Sequence, residues 1–175
     1  IMCADIVQAK SLGLAGVVLG VARADNRLDL DALAKLRSAA SGMECTLHRV
    51  IDLTPDPVAA VQQARSVGID RILTSGGAKT AIEGKDTIAQ MVEAAKEQLE
   101  IMPGSGVDLS NVETLLGIAG INNIHASCSA WQKSSSGKVE AMSFTPAQGV
   151  RQTITKNVSN LRQLIDSVRL EVANV

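Results

Sequence analysis

The stretch Thr46-Leu47-His48-Arg49-Val50-Ile51-Asp52 joins a short apolar run to a cluster of polar side chains. Its apolar residues suit a buried strand, and His48, Arg49 and Asp52 lie where such a strand ends. His48 offers a proton acceptor or metal ligand, Arg49 a planar cation for carboxylate or phosphate, and Asp52 a counter-charge. They are therefore candidate catalytic residues. The alternative is a structural ion pair between Arg49 and Asp52, with His48 as a hydrogen-bonded core residue.

Five apolar strands alternate with amphipathic helices at intervals of roughly 25 to 30 residues, the length of one βα step. The predicted strands are 16–21, 45–50, 71–74, 100–102 and 123–126, and the predicted helices are 4–12, 29–40, 58–67, 86–98 and 109–116. A polar loop at 133–138 precedes a last helix, from about residue 153, that is expected to pack on the sheet. The hydrophobic content of 46% comes mainly from Ala, Val, Ile and Leu, which suits parallel strands covered by helices. The pattern predicts one α/β domain over residues 1–175.

Polar or glycine residues follow every predicted strand from the second onward. Beyond the first cluster, the candidate ligand-binding residues are Thr74, Ser75, Gly76, Gly104, Gly106 and Ser127, and the candidate metal ligands are His125 and Cys128. Because parallel strands end at the same edge of a sheet, a shared site at the carboxyl end of a barrel requires this repetition. The glycine turns could hold a phosphate or carboxylate with their N–H groups, or could be plain βα turns.

Several classes of function are disfavoured by composition and motif spacing. A net charge of -1 with one Phe, one Trp and no Tyr provides neither the positive surface nor the stacking rings of a nucleic-acid-binding protein. No apolar run reaches the roughly 18 residues of a membrane span, so a cytoplasmic protein is expected. The turn at 74–79 lacks the spacing of a P-loop, and no Gly-x-Ser-x-Gly elbow or pair of carboxylates indicates a hydrolase.

Four ordered segments, together with 15–20, give the chain a close resemblance to the CutC copper homeostasis family, whose members are TIM-type barrels. The segments are 46–52, 71–76, 102–107 and 125–127. One departure is Val50-Ile51, where the family pattern has Ala-Phe, so the rim is less aromatic here. The resemblance implies a TIM-type (βα) barrel, incomplete as given, with about the last five βα units present.

The alignment implied by this resemblance starts the chain in the helix after the third strand of the barrel. The family's early strands, with their acidic and cysteine residues and an Arg-Pro-Arg-Gly-Gly loop, have no counterpart in the sequence. A complete eight-stranded barrel also needs roughly 200 residues or more. Exposed strand edges and an open apolar interior then favour a homo-oligomer or association with the missing barrel half.

Three functions remain open at this stage. The first is a copper homeostasis role with Cu(I) bound at the carboxyl end of the barrel, where His125, Cys128 and His48 are the soft or borderline ligands. The second is an enzyme acting on a small phosphorylated or carboxylated metabolite, with His48 as acid or base and Arg49 as anion clamp. The third is a catalytically silent barrel fragment that works through assembly. With two ligands, copper binding is expected to be weak and to depend on His125 and Cys128 more than on Cys45.

Overall fold

The computed structural model describes residues 1–133, 136–142, 146 and 148–173. The chain divides into two compact units, one made of residues 1–107 and 114–125 and the other of residues 108–113 and 126–175. The first unit contains a four-stranded sheet in which neighbours along the chain pair in parallel. Its strands are β1 (Gly16–Leu19), β2 (Glu44–Leu47), β3 (Arg71–Thr74) and β4 (Glu100–Pro103). The predicted α/β fold with a parallel sheet is confirmed.

Helices precede, connect and follow these strands, and two of them begin at an aspartate cap. They are α1 (Met2–Ser11), α2 (Leu30–Ala39), α3 (Pro57–Ser66), α4 (Lys85–Ala95) and the short α5 (Val112–Leu116). The Asp29 carboxylate accepts a hydrogen bond from Ala32 N at 3.0 Å, and Asp56 caps α3 in the same way, through Ala59 N at 2.9 Å. An N-cap acceptor satisfies a helical N–H group that has no partner within the helix.

The two faces of the parallel sheet differ in character because side chains alternate along each strand. One paired row is fully or almost fully buried and consists of Leu19, Leu47, Ile72 and Ile101. With the buried residues of α2, α3 and α4, which include Leu33, Val61, Ile88 and Met91, this row forms the apolar core. The adjacent row has the opposite orientation and consists of Val18, Thr46, Arg71 and Glu100. The sheet therefore buries one face against helices and carries polar groups on the other.

The prediction that the second strand runs to Val50 was wrong. The strand ends at Leu47, and a 3₁₀ helix occupies Arg49–Leu53. Ile51, the apolar residue that follows the predicted strand, is fully buried within the 3₁₀ helix. The 3₁₀ helix brings Asp52 to the end of β3, whereas a continued strand would carry it away.

The predicted fifth parallel strand is reduced to one bridge between Gly104 and His125. The second unit contains an antiparallel pair that the sequence pattern did not predict, β5 (Ser129–Gln132) and β6 (Val150–Thr153), followed by α7 (Thr155–Ala173). Residues 134–135 of the predicted polar loop lie outside the described residues, and its end begins α6 (Gly137–Ala141). Packing of the last helix on the parallel sheet stays a prediction. Among the described helices, none combines the length and apolar character needed to cross a membrane.

Candidate functional site

His48 follows β2 directly and caps the 3₁₀ helix with its side chain. Its Nδ1 atom accepts a hydrogen bond from Val50 N at 3.1 Å, and its backbone N–H donates to Leu19 O at 2.9 Å. Since Nδ1 is an acceptor, this hydrogen bond assigns the proton of the neutral ring to Nε2. Nε2 makes no hydrogen bond to any residue that the structure describes. The half-buried imidazole thus has one nitrogen fixed and one available to a ligand.

Gly20 makes room for this imidazole at the end of β1. A Cβ atom at Gly20 would lie 2.5 Å from His48 Cε1 and 2.7 Å from Nδ1, so a larger residue would displace the ring. The sequence pattern placed Gly20 in the first strand and in the segment 15–20, without a role at the site. The signal that could have identified it is a glycine at the carboxyl end of a strand, where close approach of another group needs a missing side chain.

Asp52 is the centre of the contacts between the ends of β2 and β3. Its side chain is 5% exposed, and its two oxygens lie within hydrogen-bond distance of five donor groups. The donors are Arg49 Nε at 2.8 Å, Thr74 Oγ1 at 2.5 Å, Ser75 N at 3.0 Å, Ser75 Oγ at 3.0 Å and Gly77 N at 3.1 Å. A buried carboxylate is stable only when such partners replace water. Asp52 therefore ties the turn after β3 to the 3₁₀ helix.

Arg49 makes the ion pair with Asp52 that the sequence offered as the structural alternative. Its Nη2 atom also donates to Ser75 Oγ at 2.6 Å and to Ala78 O at 3.4 Å. The Arg49 side chain is 41% exposed, and its Nη1 atom has no partner within the described part of the chain. Arg49 thus combines a structural contact with free donor capacity.

The turn after β3 depends on two glycines that face each other. Gly76 has φ +69°, and a Cβ atom there would lie 2.4 Å from Gly84 O. A Cβ at Gly84 would lie 1.9 Å from Ser75 O, so two backbone segments touch where neither residue has a side chain. Gly84, at the start of α4, was not among the predicted site residues. Its importance comes from a tertiary contact that local sequence does not reveal.

The Gly104-Ser105-Gly106 turn contacts the loop between β3 and α4. Ser105 has φ +82° and its hydroxyl donates to Lys79 O at 3.0 Å, while Ala81 N donates to Ser105 O at 2.9 Å. A Cβ at Gly106 would lie 2.9 Å from Thr80 Cγ2. The turns after β3 and β4 therefore support each other, and Gly104 pairs with His125 on its other side.

The remaining candidates fall into different units of the structure. His125 lies in the first unit, whereas Ser127 and Cys128 lie in the second. The Ser127 hydroxyl is 2.9 Å from that of Ser129, and the Cys128 carbonyl accepts from Ile154 N at 3.0 Å. The structure thus brings together Arg49, Asp52, Thr74, Ser75 and Gly77, and separately Gly104 and His125. The predicted roles of all these residues stay predictions.

Metal-ligating side chains are sparse in the described ranges, where no group of three or more His, Cys, Asp or Glu residues is arranged to hold an ion. Cys45 is fully buried in β2. Burial raises the pKa of its thiol, Arg37 opposes that shift and Asp70 adds to it. A thiol whose thiolate is disfavoured is a poor metal ligand. These residues do not fit a tight Cu(I) site, which favours several soft ligands.

The parallel sheet, its connecting helices and the polar groups after β2, β3 and β4 define an α/β protein with a strand-end site. Residues 1–130 match the family model described as the CutC family. The chain belongs to the CutC family.

Relatives and a solved structure agree with this membership. The chain is 41% identical to a CutC family protein of Sinorhizobium medicae over 96% of this chain and 68% of the relative. It is 50% identical to one of Agrobacterium fabrum over 74% of this chain and 52% of that relative. A crystal structure of CutC from Streptococcus agalactiae, described as a candidate copper homeostasis protein, has a TM-score of 0.66 and 30% identity. That match covers 70% of this chain and 60% of the solved one.

Proposed function

We propose that the chain forms part of a single TIM-type (βα) barrel domain that binds a small phosphorylated or carboxylated metabolite. The parallel order β1-β2-β3-β4 and membership of the CutC family support the barrel. Polar groups at the ends of β2 and β3 support a site at the carboxyl end, where proteins with this fold place their chemistry. The cytoplasmic location stays a prediction.

The observation that carries this proposal is the state of His48. Its Nδ1 is held by the Val50 N–H, so Nε2 carries the proton of the neutral ring and points to no described partner. An Nε2–H group donates a hydrogen bond to a carboxylate, phosphate or developing oxyanion. His48 is therefore proposed as a hydrogen-bond donor that stabilises negative charge on the ligand. The free Nη1 of Arg49 supplies the charge that selects anions.

A ligand screen tests this proposal. The purified chain is heated with a set of small phosphorylated and carboxylated metabolites, beside neutral analogues of the same size. We expect anionic members to raise the melting temperature, because a ligand that binds only the folded state stabilises it. Each hit is repeated with His48→Gln, which retains an acceptor and a donor but changes their positions. Equal shifts for anionic and neutral compounds would contradict the proposal.

Copper handling is the second candidate and is favoured by the description of the solved Streptococcus agalactiae relative. We propose that Cu(I) binds weakly, through His125 and Cys128 more than through Cys45. Cys45 is fully buried, whereas Cys128 is partly exposed. The test is a Cu(I) competition titration of the reduced protein beside Cys45→Ala and Cys128→Ser. Equal loss in both variants, or tight binding that survives Cys128→Ser, refutes this assignment.

Assembly, as a homo-oligomer or with another barrel half, is proposed from the free edge of the sheet. Strand β1 is terminal in the described four-stranded sheet, and Val18 in its middle is 66% exposed. An exposed edge strand favours pairing with another segment. Sedimentation in dilute solution is expected to show a species larger than the monomer. A stable, folded monomer would count against assembly and against the third hypothesis of a fragment that works only by association.

A further inference from the structure

The Arg49 guanidinium is divided between an inner and an outer side. Its Nε and Nη2 atoms donate to Asp52 Oδ2 and Ser75 Oγ at 2.8 and 2.6 Å, and those two oxygens lie 3.0 Å apart. The group is therefore held by two hydrogen bonds to acceptors that are themselves fixed, since Asp52 is bonded to the turn after β3 and the Ser75 hydroxyl also lies 2.5 Å from Ala78 O. Its Nη1 atom, with two N–H donors, has no partner among the described residues. This arrangement fixes the direction in which the unused donors point.

Asp52 has no free capacity for a ligand. Its Oδ1 atom is within reach of Thr74 Oγ1, Ser75 N and Gly77 N, and its Oδ2 atom is within reach of Arg49 Nε and the Ser75 hydroxyl. With 5% of the side chain exposed, neither oxygen has space for a substrate atom. The geometry does not support a direct catalytic role for Asp52, which the sequence offered as a candidate.

We propose that Arg49 binds an oxyanion through Nη1 and that Asp52 is a positioning residue, which acts on the ligand only through Arg49. The inference rests on the proposed function and names the chemistry of the ligand at that site, a carboxylate or phosphate group. A planar, fixed guanidinium distinguishes such groups from a spherical anion, because it offers directional donors rather than charge alone. Ser75 shares the positioning role by accepting from Nη2.

Charge and orientation make opposite predictions for Asp52→Asn. This substitution removes one negative charge beside Arg49, so an effect of charge alone would tighten the binding of every anion. Loss of orientation would weaken the binding of an oxyanion and leave chloride binding unchanged or tighter. The sign of the change in phosphate affinity therefore separates a positioning role from an electrostatic one. The ratio of phosphate to chloride affinity is also a readout that a loss of stability would not change.

The test measures inorganic phosphate and chloride binding by NMR titration at constant ionic strength and well below the melting temperature. We expect Arg49→Lys to weaken phosphate binding about tenfold, the value of a lost hydrogen bond to a charged group. Asp52→Asn should lower the ratio of phosphate to chloride affinity by a similar factor. The matched control is Asp70→Asn, an aspartate beside Arg37 in another part of the first unit, which should leave both affinities unchanged.

Several outcomes would overturn the proposal. They are absence of phosphate binding in the wild type, no loss in Arg49→Lys, tighter phosphate binding in Asp52→Asn, and equal loss in Asp70→Asn. If Asp52→Asn does not fold, Ser75→Ala decides, because it removes the nearer of the two Nη2 acceptors and keeps the carboxylate. Unchanged selectivity in Ser75→Ala then refutes the positioning role. A metabolite that binds equally to wild type and Arg49→Lys would refute this inference alone. Failure of every metabolite to bind would refute the proposed function itself.

Discussion

Arg37 lies beside Asp70 at the amino end of the parallel sheet, and Arg49 lies beside Asp52 at its carboxyl end. Arg37 donates to three backbone carbonyls, those of Gly68, Ala40 and Met43, at 2.6, 3.1 and 3.3 Å. These carbonyls follow α2 and α3, where a cation and its donors satisfy groups that the helices leave unpaired. Asp70 is 45% exposed and accepts from Cys45 N at 2.8 Å.

The two pairs differ in which partner is buried and which donors remain. At the amino end the arginine is the hub, its contacts are mostly to backbone, and the aspartate is half-exposed. At the carboxyl end the aspartate is the hub, and the half-exposed arginine retains an Nη1 atom without a described partner. One end is thus arranged for stability, and the other leaves donors for a ligand. This agrees with the division of roles between the two ends of parallel βα folds.

Of the substitutions that compare the two ends of the sheet, Asp52→Ala is expected to have the largest effect on stability. Loss of the carboxylate leaves the buried Thr74 hydroxyl and Ser75 N–H without their acceptor, so the free energy of unfolding should fall by about 3 kcal/mol. Asp70→Ala, which removes a half-exposed carboxylate and one hydrogen bond, should cost about 1 kcal/mol. Urea unfolding of both variants measures the difference. Equal losses of unfolding free energy would show that the two aspartates contribute equally to stability.

How far the sequence predicted this difference depends on the range of the contacts. The strand Arg71–Thr74 was predicted with its observed bounds because a βα turn with two glycines follows it directly. The extension of β2 through Val50 failed because Asp52 bonds to Ser75 and Gly77, partners more than 20 residues away. The local pattern of apolar residues does not predict contacts between residues so far apart in the sequence. The same limit hid Gly84, whose role is a backbone contact with Ser75.

The fifth strand and the second unit show a different limit. Asn122 and Asn123 precede His125, and the segment forms one bridge in place of a ladder. Asparagine is disfavoured in strands. The prediction of a fifth strand followed the regular spacing of the βα units instead of this weak local preference. The residues of the antiparallel pair at Ser129–Gln132 and Val150–Thr153 are exposed or partly exposed. Because neither strand buries one face, the sequence lacks the alternation of apolar and polar residues that would have predicted them.

The next effect concerns the glycines at the two ends of β1. A Cβ at Gly16 would lie 2.7 Å from the backbone carbonyl oxygen of Glu44, whereas a Cβ at Gly20 would meet the His48 ring. Backbone in a paired strand moves less easily than a side chain, so Gly16→Ala should cost about 2 kcal/mol and Gly20→Ala about 1 kcal/mol.

Gly20→Ala should nevertheless have the larger effect on ligand binding, because it displaces His48. The ring protons of His48 provide the measurement, since the chain has two histidines and their NMR signals can be assigned by substitution. We expect a changed His48 signal and weaker metabolite binding in Gly20→Ala, and neither in Gly16→Ala. An unchanged His48 signal in Gly20→Ala would contradict the contact between ring and strand.

The smallest effect is a pH dependence at the amino end. Burial raises the pKa of the Cys45 thiol in the folded state, above the value of about 8.5 for a thiol in water. The unfolded chain therefore releases this proton at a lower pH than the folded chain. The contribution to stability is complete below the unfolded pKa and is lost as the pH rises through the folded pKa, so the free energy of unfolding should decline above about pH 8.5.

The measurement is a comparison of urea midpoints between pH 7 and pH 10 for wild type and Cys45→Ala. Other groups titrate in this range in both proteins, so the decline attributed to Cys45 is the difference between the two curves. Cys45→Ala should be less stable at pH 7, because it removes buried volume, and should lose less stability as the pH rises. Cys3→Ala, which removes an exposed thiol from α1, is the control for deleting a cysteine. Parallel curves for wild type and Cys45→Ala would show that the buried thiol does not couple folding to pH.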